Sequence, residues 1–341
     1  MDRFRETVTR ACDALWYGAH PLRWLLWPVA EVFRALVAIR RMGFRQGWLK
    51  SVDAGVPVIV VGNITTGGTG KTPLVIWLAA RLRERGFRVG ILCSGYGGKA
   101  ERWPQPVAKS SDVIRVGDEA LLLARRTLCP VVAGPDRVAG AELLLRPAPL
   151  DVIVADDGLQ HYRLRRMFEI AVVDGTRGLG NGLCLPAGPL REPGSRLADV
   201  DAVVVNAGDF GHRGMLRAQL RVARVYGLVT GVEKTLKDFS GRQVHAVAAI
   251  GNPERFFDAL EAEKIIVEPH ALPDHADLSA ADFEFDDDHP ILITEKDAVK
   301  CEKFGSDRLW CVVTDLEFSK GHGERLLEIL SRSLELQPEN R

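Results

Sequence analysis

The stretch from Val58 to Pro73 reads Val-Ile-Val-Val-Gly-Asn-Ile-Thr-Thr-Gly-Gly-Thr-Gly-Lys-Thr-Pro, an apolar strand running straight into a phosphate-binding loop. Gly67, Gly68 and Gly70 leave the backbone free to curl its N–H groups around phosphate oxygens. Thr65, Thr66 and Thr69 complete the cradle. Lys71 adds a mobile positive charge for the terminal phosphates, and Thr72 a hydroxyl for a magnesium ion. The helix expected next turns the positive end of its dipole toward the same anions. One position is irregular: the usual spacing has glycine at the head of the loop, where this chain has Thr65. A glycine-rich turn would account for the glycines, but not for a strand before them and Lys-Thr plus a helix after them.

Downstream, short apolar runs alternate with helical windows. Helices are expected from Trp77 to Glu84, Asp118 to Arg126 and Arg137 to Leu145. Strands are expected at Phe87–Cys93, Val131–Ala133, Asp151–Ala155, Ile170–Val173, Ala202–Val205, Val244–Ile250, Ile291–Thr294 and Trp310–Val313. Apolar strands separated by helices predict a mostly parallel sheet covered on both faces, an α/β fold of the P-loop NTPase-like type. The Gly- and charge-rich region from about Asn206 to Gly241 is the expected domain boundary. This divides the chain into an N-terminal helical segment (1–50), a P-loop core (51–215) and a smaller C-terminal α/β domain (216–341).

The chain has 341 residues, and its 45 Lys and Arg balance its 45 Asp and Glu, a charge pattern that does not point to nucleic acid. Cys12, Cys93, Cys129, Cys184, Cys301 and Cys311 show no metal-ligand spacing and read as thiols of a reducing compartment. No secretory signal is visible, and no obligate protein partner is evident. The neutral total hides a basic start: residues 1–50 hold nine Arg or Lys against four acids, and four of the seven tryptophans. Glu31 and Arg34 interrupt the apolar run from Trp24 to Ile39, short of the ~20 residues a membrane-spanning helix needs. Glu31, Arg34, Arg41 and Arg45 form a narrow polar stripe beside a broad apolar face. Such a helix either lies on an anionic membrane or packs on the protein's own core.

Asp156-Asp157-Gly158 closes an apolar strand, where P-loop proteins hold magnesium; an Asp-Gly turn is the plain alternative. Gln160 and His161 follow, within reach of a metal shell or a substrate. Asp118 stands at a helix start, where an acid is commonly a cap; its functional reading is a general base for phosphoryl transfer to an alcohol. His275, beside a proline turn, would tune such a base if the two met across the fold, although spacing does not bring them together.

The ordered set Val61–Pro73, Gly95-Tyr-Gly-Gly98, Val116-Gly-Asp-Glu119, Asp156–His161, Leu185–Pro193, Ile250–Phe256, Pro273-Asp-His275 and Thr294–Lys300 resembles the tetraacyldisaccharide 4′-kinase (lipid A 4′-kinase) family of Gram-negative bacteria. The resemblance implies transfer of the γ-phosphate of ATP to the 4′-hydroxyl of a tetraacylated glucosamine disaccharide 1-phosphate, in lipid A biosynthesis. It places the enzyme peripherally at the cytoplasmic face of the inner membrane. It implies that Lys71 and the loop amides hold ATP. Thr72, Asp156 and Asp157 would bind Mg2+ with Glu119 assisting, and Asp118 would act as general base tuned by His275. The basic N-terminal helix then becomes the lipid-facing element. Two positions depart from the family pattern: Ser94 stands where an arginine precedes Gly95, and Ala276 follows His275 in place of a second histidine. The rival readings are a membrane-surface ATPase of the positioning or partitioning type, which carries a lysine where this chain has Thr66, a soluble small-molecule kinase, and a non-catalytic nucleotide-binding module.

Overall fold

The computed structural model describes residues 11–304 and 306–335. The first ten residues of the basic N-terminal segment, with Arg3, Arg5 and Arg10, lie outside the described residues.

The central strands are continuous apolar runs because both of their faces are covered. In β1 (Val58–Gly62) and β5 (Val152–Asp156) every residue is buried. Around them the first part of the chain supplies β2 (Val89–Cys93), β3 (Gln105–Val107), β4 (Val131–Ala133), β6 (Phe168–Asp174) and β7 (Ala202–Asn206). Then follow β8 (Leu216–Gly227), β9 (Glu233–Lys234), β10 (Gln243–Ala248), β11 (Ile266–Ala271), β12 (Ile291–Thr294) and β13 (Leu309–Phe318). All belong to one 13-stranded sheet in the order β11-β10-β12-β13-β8-β7-β6-β1-β5-β2-β4-β3, with β9 paired to β8.

The helices, after α1 (Leu22–Arg45), are α2 (Lys71–Glu84), α3 (Val113–Val116), α4 (Asp118–Thr127), α5 (Arg137–Leu145), α6 (Glu254–Glu261), α7 (Glu295–Cys301) and α8 (His322–Glu335). Leu74 and Leu78 of α2, Leu121 of α4 and Leu326 and Leu330 of α8 share one core against β1, β5 and β6. Leu144 of α5 and Phe33 of α1 cover the opposite face. Phe257 and Leu260 of α6, and Ala298 and Cys301 of α7, fill two further cores around β10, β12 and β13.

The expected strands are present with shifted ends, and eight elements were not foreseen: β3, β8, β9, β11, α3, α6, α7 and α8. Arg217, Arg221 and Arg224 give β8 a polar pattern because much of the strand is exposed, and Pro269 interrupts β11, which is an edge strand. The strand β8 lies inside the Gly- and charge-rich stretch from Asn206 to Gly241.

That strand sets the geometry of the molecule. Residues Leu216–Ala218 of β8 pair in parallel with β7. Its far end, Val225–Gly227, pairs antiparallel with Trp310–Val312 of β13, and β12 lies parallel to β13 alongside Leu309–Val312. The strands of the first half therefore point their carboxyl ends along β8 toward the second half, and those of the second half point back. The offset, from Ala218 to Val225, is about 20 Å at the usual rise per strand residue. Open α/β sheets bind ligands at carboxyl edges, and here two such edges face one another.

Helix α1 reverses the usual rule of burial. Ala30 and Gly43 face the protein and are buried, while Arg41 pairs with Asp199 at 2.7 Å and Arg40 donates to the Gln160 carbonyl at 3.0 Å. Phe44 stacks on Tyr162 with ring centroids 5.8 Å apart. The outward face carries Trp24, Leu25, Trp27, Val29, Val32, Leu36, Ile39 and Met42, all exposed. No helix among the described residues is long and apolar enough to cross a membrane.

Behind α1, Glu192 and Arg196 are buried at 0% and 1% exposure. Arg196 pairs with Glu169 at 2.7 Å and reaches Glu192 at 3.7 Å, while Gln160 and Tyr162 donate to Glu192. Removing one member strands a buried charge. Glu192→Ala should lower unfolding free energy by about 3–5 kcal/mol in urea titrations. A loss below about 1 kcal/mol, the range of a surface pair, would contradict this role.

Candidate active site

The loop between β1 and α2 is built for a close anion. Gly67 and Gly70 adopt left-handed backbone, with φ of 95° and 93°. A Cβ on Gly70 would also collide with the Asn206 amide, which donates to the Thr69 carbonyl at 3.0 Å. Asn206 is in turn held by Arg255 of α6 at 2.8 Å, so a residue of the second half braces the loop. The irregular Thr65 is explained by pairing: it forms an antiparallel bridge with Leu190, and Thr66 N–H donates to the Pro189 carbonyl at 2.9 Å. Extended backbone there needs no glycine. The hydroxyls of Thr66 and Thr69 are buried and have no partner among the described residues, a donor set that fits phosphate oxygens.

Three predicted cation ligands converge at the end of β5. Thr72 Oγ1 donates to Asp156 Oδ2 at 3.1 Å, while Asp156 Oδ1 is buried without a partner among the described residues. Burial, with the Glu119 carboxylate and Asp157 nearby, pushes the Asp156 carboxyl up to about 7 despite Lys71 and Thr72. A carboxylate held so unfavourably gains most from a divalent cation. Asp157 turns off the strand at φ 50°, a backbone region aspartate tolerates better than most residues. Lys71 Nζ lies 3.5 Å from it and Arg191 NH1 3.3 Å. Burial opposes its charge, but Lys71 and Arg191 outweigh that and hold its carboxyl below the ordinary value. Hydroxyl and carboxylate donors of this kind fit magnesium, a hard cation.

Asp118 opens α4 and is 4% exposed. His275 Nδ1 lies 3.0 Å from both of its oxygens, although 157 positions separate the two in sequence. Lys296 Nζ, which can only donate, lies 3.1 Å from His275 Nε2. The imidazole therefore accepts at Nε2 and presents Nδ1–H to Asp118. Burial would raise the Asp118 pKa, but the His275 hydrogen bond and the Lys296 charge outweigh it and hold the carboxyl below its ordinary value. Burial likewise opposes a charge on His275, and the Asp118 hydrogen bond outweighs it, leaving the imidazole above its ordinary value.

The two clusters are joined. Lys296 also contacts Glu119 at 3.3 Å and Asp274 at 3.2 Å, and Glu119 in turn raises Asp156. The segment after β10 touches the phosphate loop itself: a side chain on Gly251 would begin 2.9 Å from the Gly68 nitrogen, so glycine alone permits this approach. Tyr96 of the glycine motif sets its ring edge against His275 at 4.7 Å. Ser94, where the family pattern has arginine, accepts from the Tyr96 N–H at 3.1 Å and caps the same turn. His161 is kept neutral, since burial and Arg137 push it down to about 4.

All thirteen site residues named from the sequence lie in this region, and six more emerge only here: Arg191, Asn206, Gly251, Arg255, Lys296 and Lys300. Five of the six fall within the motifs Leu185–Pro193, Ile250–Phe256 and Thr294–Lys300, but spacing does not tell a site lysine from a surface one. Asn206 gave still less warning, as a polar residue ending a strand.

Comparisons with known proteins identify the family. The model of the family described as tetraacyldisaccharide-1-P 4′-kinase matches residues 22–333. The tetraacyldisaccharide 4′-kinase of Nitrosococcus oceani is 49% identical over 318 residues, covering 93% of this chain and 94% of that protein. That of Pseudomonas aeruginosa is 45% identical over 303 residues, covering 89% and 91%. Among solved structures, LpxK from Aquifex aeolicus in complex with ATP aligns with a TM-score of 0.77 at 28% identity, over 92% of this chain and 99% of that one. With that family model matching most of its length and relatives up to 49% identical over more than nine-tenths of it, this chain belongs to the tetraacyldisaccharide 4′-kinase family.

Proposed function

We infer that the protein is an ATP-dependent kinase that phosphorylates the 4′-hydroxyl of a tetraacylated glucosamine disaccharide 1-phosphate, the lipid A precursor. The observation that carries this reading is the Asp118–His275 pair, coupled through Lys296 and Glu119 to the Thr72–Asp156 cation site. A phosphate loop alone suits any nucleotide enzyme; a buried carboxylate facing it suits an alcohol acceptor.

Lys71 and the loop amides of residues 65–72 hold the phosphates. Thr72, Asp156 and Asp157 would hold Mg2+, with Glu119 beside them, and the ion would supply positive charge to the transferring phosphoryl group. Asp118 accepts the proton of the acceptor hydroxyl as its oxygen attacks the γ-phosphorus and ADP departs. His275 orients that carboxylate and keeps it ionised. Residues 51–215 and 216–341 act as two lobes joined where β7 pairs with the start of β8, with residues 1–50 as the membrane-associating segment.

The acceptor's acyl chains stay in lipid, because drawing four of them into water is prohibitive. The outward face of α1 therefore lies in the anionic cytoplasmic surface of the inner membrane. A cavity of about 610 Å³ between α1 and residues 192–195, lined by Arg34, Arg41 and Arg45, adjoins the segment that carries Arg191 to Asp157. Its arginines and apolar wall suit an anionic amphiphile held beside α1.

With ATP and the disaccharide acceptor in mixed micelles, the wild-type protein should yield the 4′-phosphate; a folded, ATP-binding preparation that yields none would overturn the reading. Asp118→Ala should cut turnover by about 10²–10⁴ while ATP affinity holds. Parallel loss of nucleotide binding would remove it from the base role.

His275→Ala should reduce the rate less and also alter its pH profile. Asp118 works when ionised, so the rate falls as pH drops through its pKa, which lies below the usual carboxylate value. Without His275, burial pushes that pKa up, and the acid limb should move to higher pH. An unmoved limb would argue against the pairing. Trp24→Glu with Leu36→Glu, both on the exposed face, should weaken binding to anionic vesicles by at least ~10-fold, as loss of two buried apolar groups requires. Undiminished flotation would place the lipid contact elsewhere.

A further inference from the structure

A second cluster of ligating side chains lies at the outer edge of the sheet, and the kinase reading does not use it. Strand β11 is the edge strand beside β10. Their parallel register sets His245 opposite Glu268 and Val247 opposite His270. Direct partners share a face, as do residues two apart, so His245, Glu268 and His270 project together. His245 Nδ1 lies 3.0 Å from His270 Nε2 and 3.6 Å from a Glu268 oxygen, and His270 Nε2 lies 3.9 Å from the other Glu268 oxygen.

The surroundings prepare these groups as ligands. His245 is 2% exposed, and its Nε2 sits 3.0 and 3.1 Å from the two oxygens of Asp287. An ionised carboxylate only accepts, so Nε2 carries the proton and the Nδ1 lone pair faces the cluster. Asp287 is itself fixed by the His289 N–H at 2.9 Å and by Arg308 at 3.2 Å. A carboxylate behind a ligating imidazole is the usual outer support of a bound metal, setting its tautomer and ring plane. Phe285 stacks on His245 at 3.7 Å and packs against His270 at 4.5 Å, holding both rings.

We propose that His245 Nδ1, His270 Nε2 and a Glu268 oxygen bind a divalent transition-metal cation of the zinc type, with water as the fourth ligand. Tetrahedral bonds of about 2.0–2.1 Å place neighbouring ligand atoms about 3.3 Å apart, within the spread seen here. Two imidazoles and one carboxylate favour zinc over magnesium or calcium, which take oxygen donors. A simple hydrogen bond between the imidazoles would satisfy Nδ1, but it gives no role to Glu268. The cation would clamp β10 to β11, the strands whose carboxyl ends lead into Gly251 at the phosphate loop and into His275 at Asp118. It would thus steady the presentation of both.

The test uses the full-length protein, stripped with a chelator and titrated calorimetrically with Zn2+ alone in excess Mg2+, which keeps the Asp156 site occupied. One zinc per chain is expected, with a rise in melting temperature. Co2+ in its place should give the visible absorption bands of four-coordinate cobalt. His270→Ala and Glu268→Gln, at partly exposed positions, should each weaken zinc binding by at least about tenfold, and Asp287→Asn by about 10–100-fold. Unchanged ATP binding reports that the variants are folded. Zinc binding that is undiminished in His270→Ala, or absent from the folded wild type, would overturn the site and leave an imidazole pair.

Discussion

The pairing of β8 is the constraint on which the rest of the structure depends. One end of the strand continues the parallel sheet of the first half, and the other reverses direction into β13. A simple extension of the parallel sheet would have left all carboxyl ends along one edge, with the second half far from the phosphate loop. The reversal along a long ribbon makes two such edges oppose each other. Gly251 can then approach Gly68, Arg255 can brace Asn206, and His275 can meet Asp118. The site belongs to neither half alone.

Electrostatics within that cleft follow from the same convergence. Asp118, Glu119, Asp156, Asp157 and Asp274 would repel one another if gathered without compensation. Lys71, Arg191, Lys296 and Lys300 are interleaved among them and come from both halves. The balance is uneven by position: Asp118 and Asp157 are held below the ordinary carboxyl value by adjacent cations, while burial and neighbouring carboxylates push Asp156 up to about 7. Carboxylates of one chemical type thus differ in their readiness to carry charge, which suits the base role proposed for Asp118 and the cation-ligand role proposed for Asp156.

Helix α1 shows how a weak sequence signal becomes strong in context. Its apolar face is as consistent with a core helix as with an interfacial one. Docking is achieved instead by the small residues Ala30 and Gly43, by Phe33 and Phe44, and by the Arg40 and Arg41 contacts, which leaves a row of tryptophan and aliphatic side chains outward. Soluble monomers rarely leave a patch of this kind uncovered without a surface to cover it.

Much of the molecule was legible beforehand because its signals are local. A buried parallel strand must be apolar throughout, a phosphate loop must be glycine-rich, and a helix must follow it, so the α/β class, the loop from Thr65 to Thr72 and the Asp156–Asp157 pair could be read directly. What remained hidden was carried by long-range pairing. The polar pattern of β8 disguised a strand because its faces are partly exposed, and Pro269 masked an edge strand. The meeting of Asp118 with His275, the bracing roles of Arg255 and Lys296, and the cluster at His245, Glu268 and His270 depend on register and strand direction, which local composition does not encode. The sequence by itself determined which chemical groups are present and which local elements hold them. Only the tertiary structure decided which of them meet, because a strand's direction and neighbours are set by packing across the whole sheet.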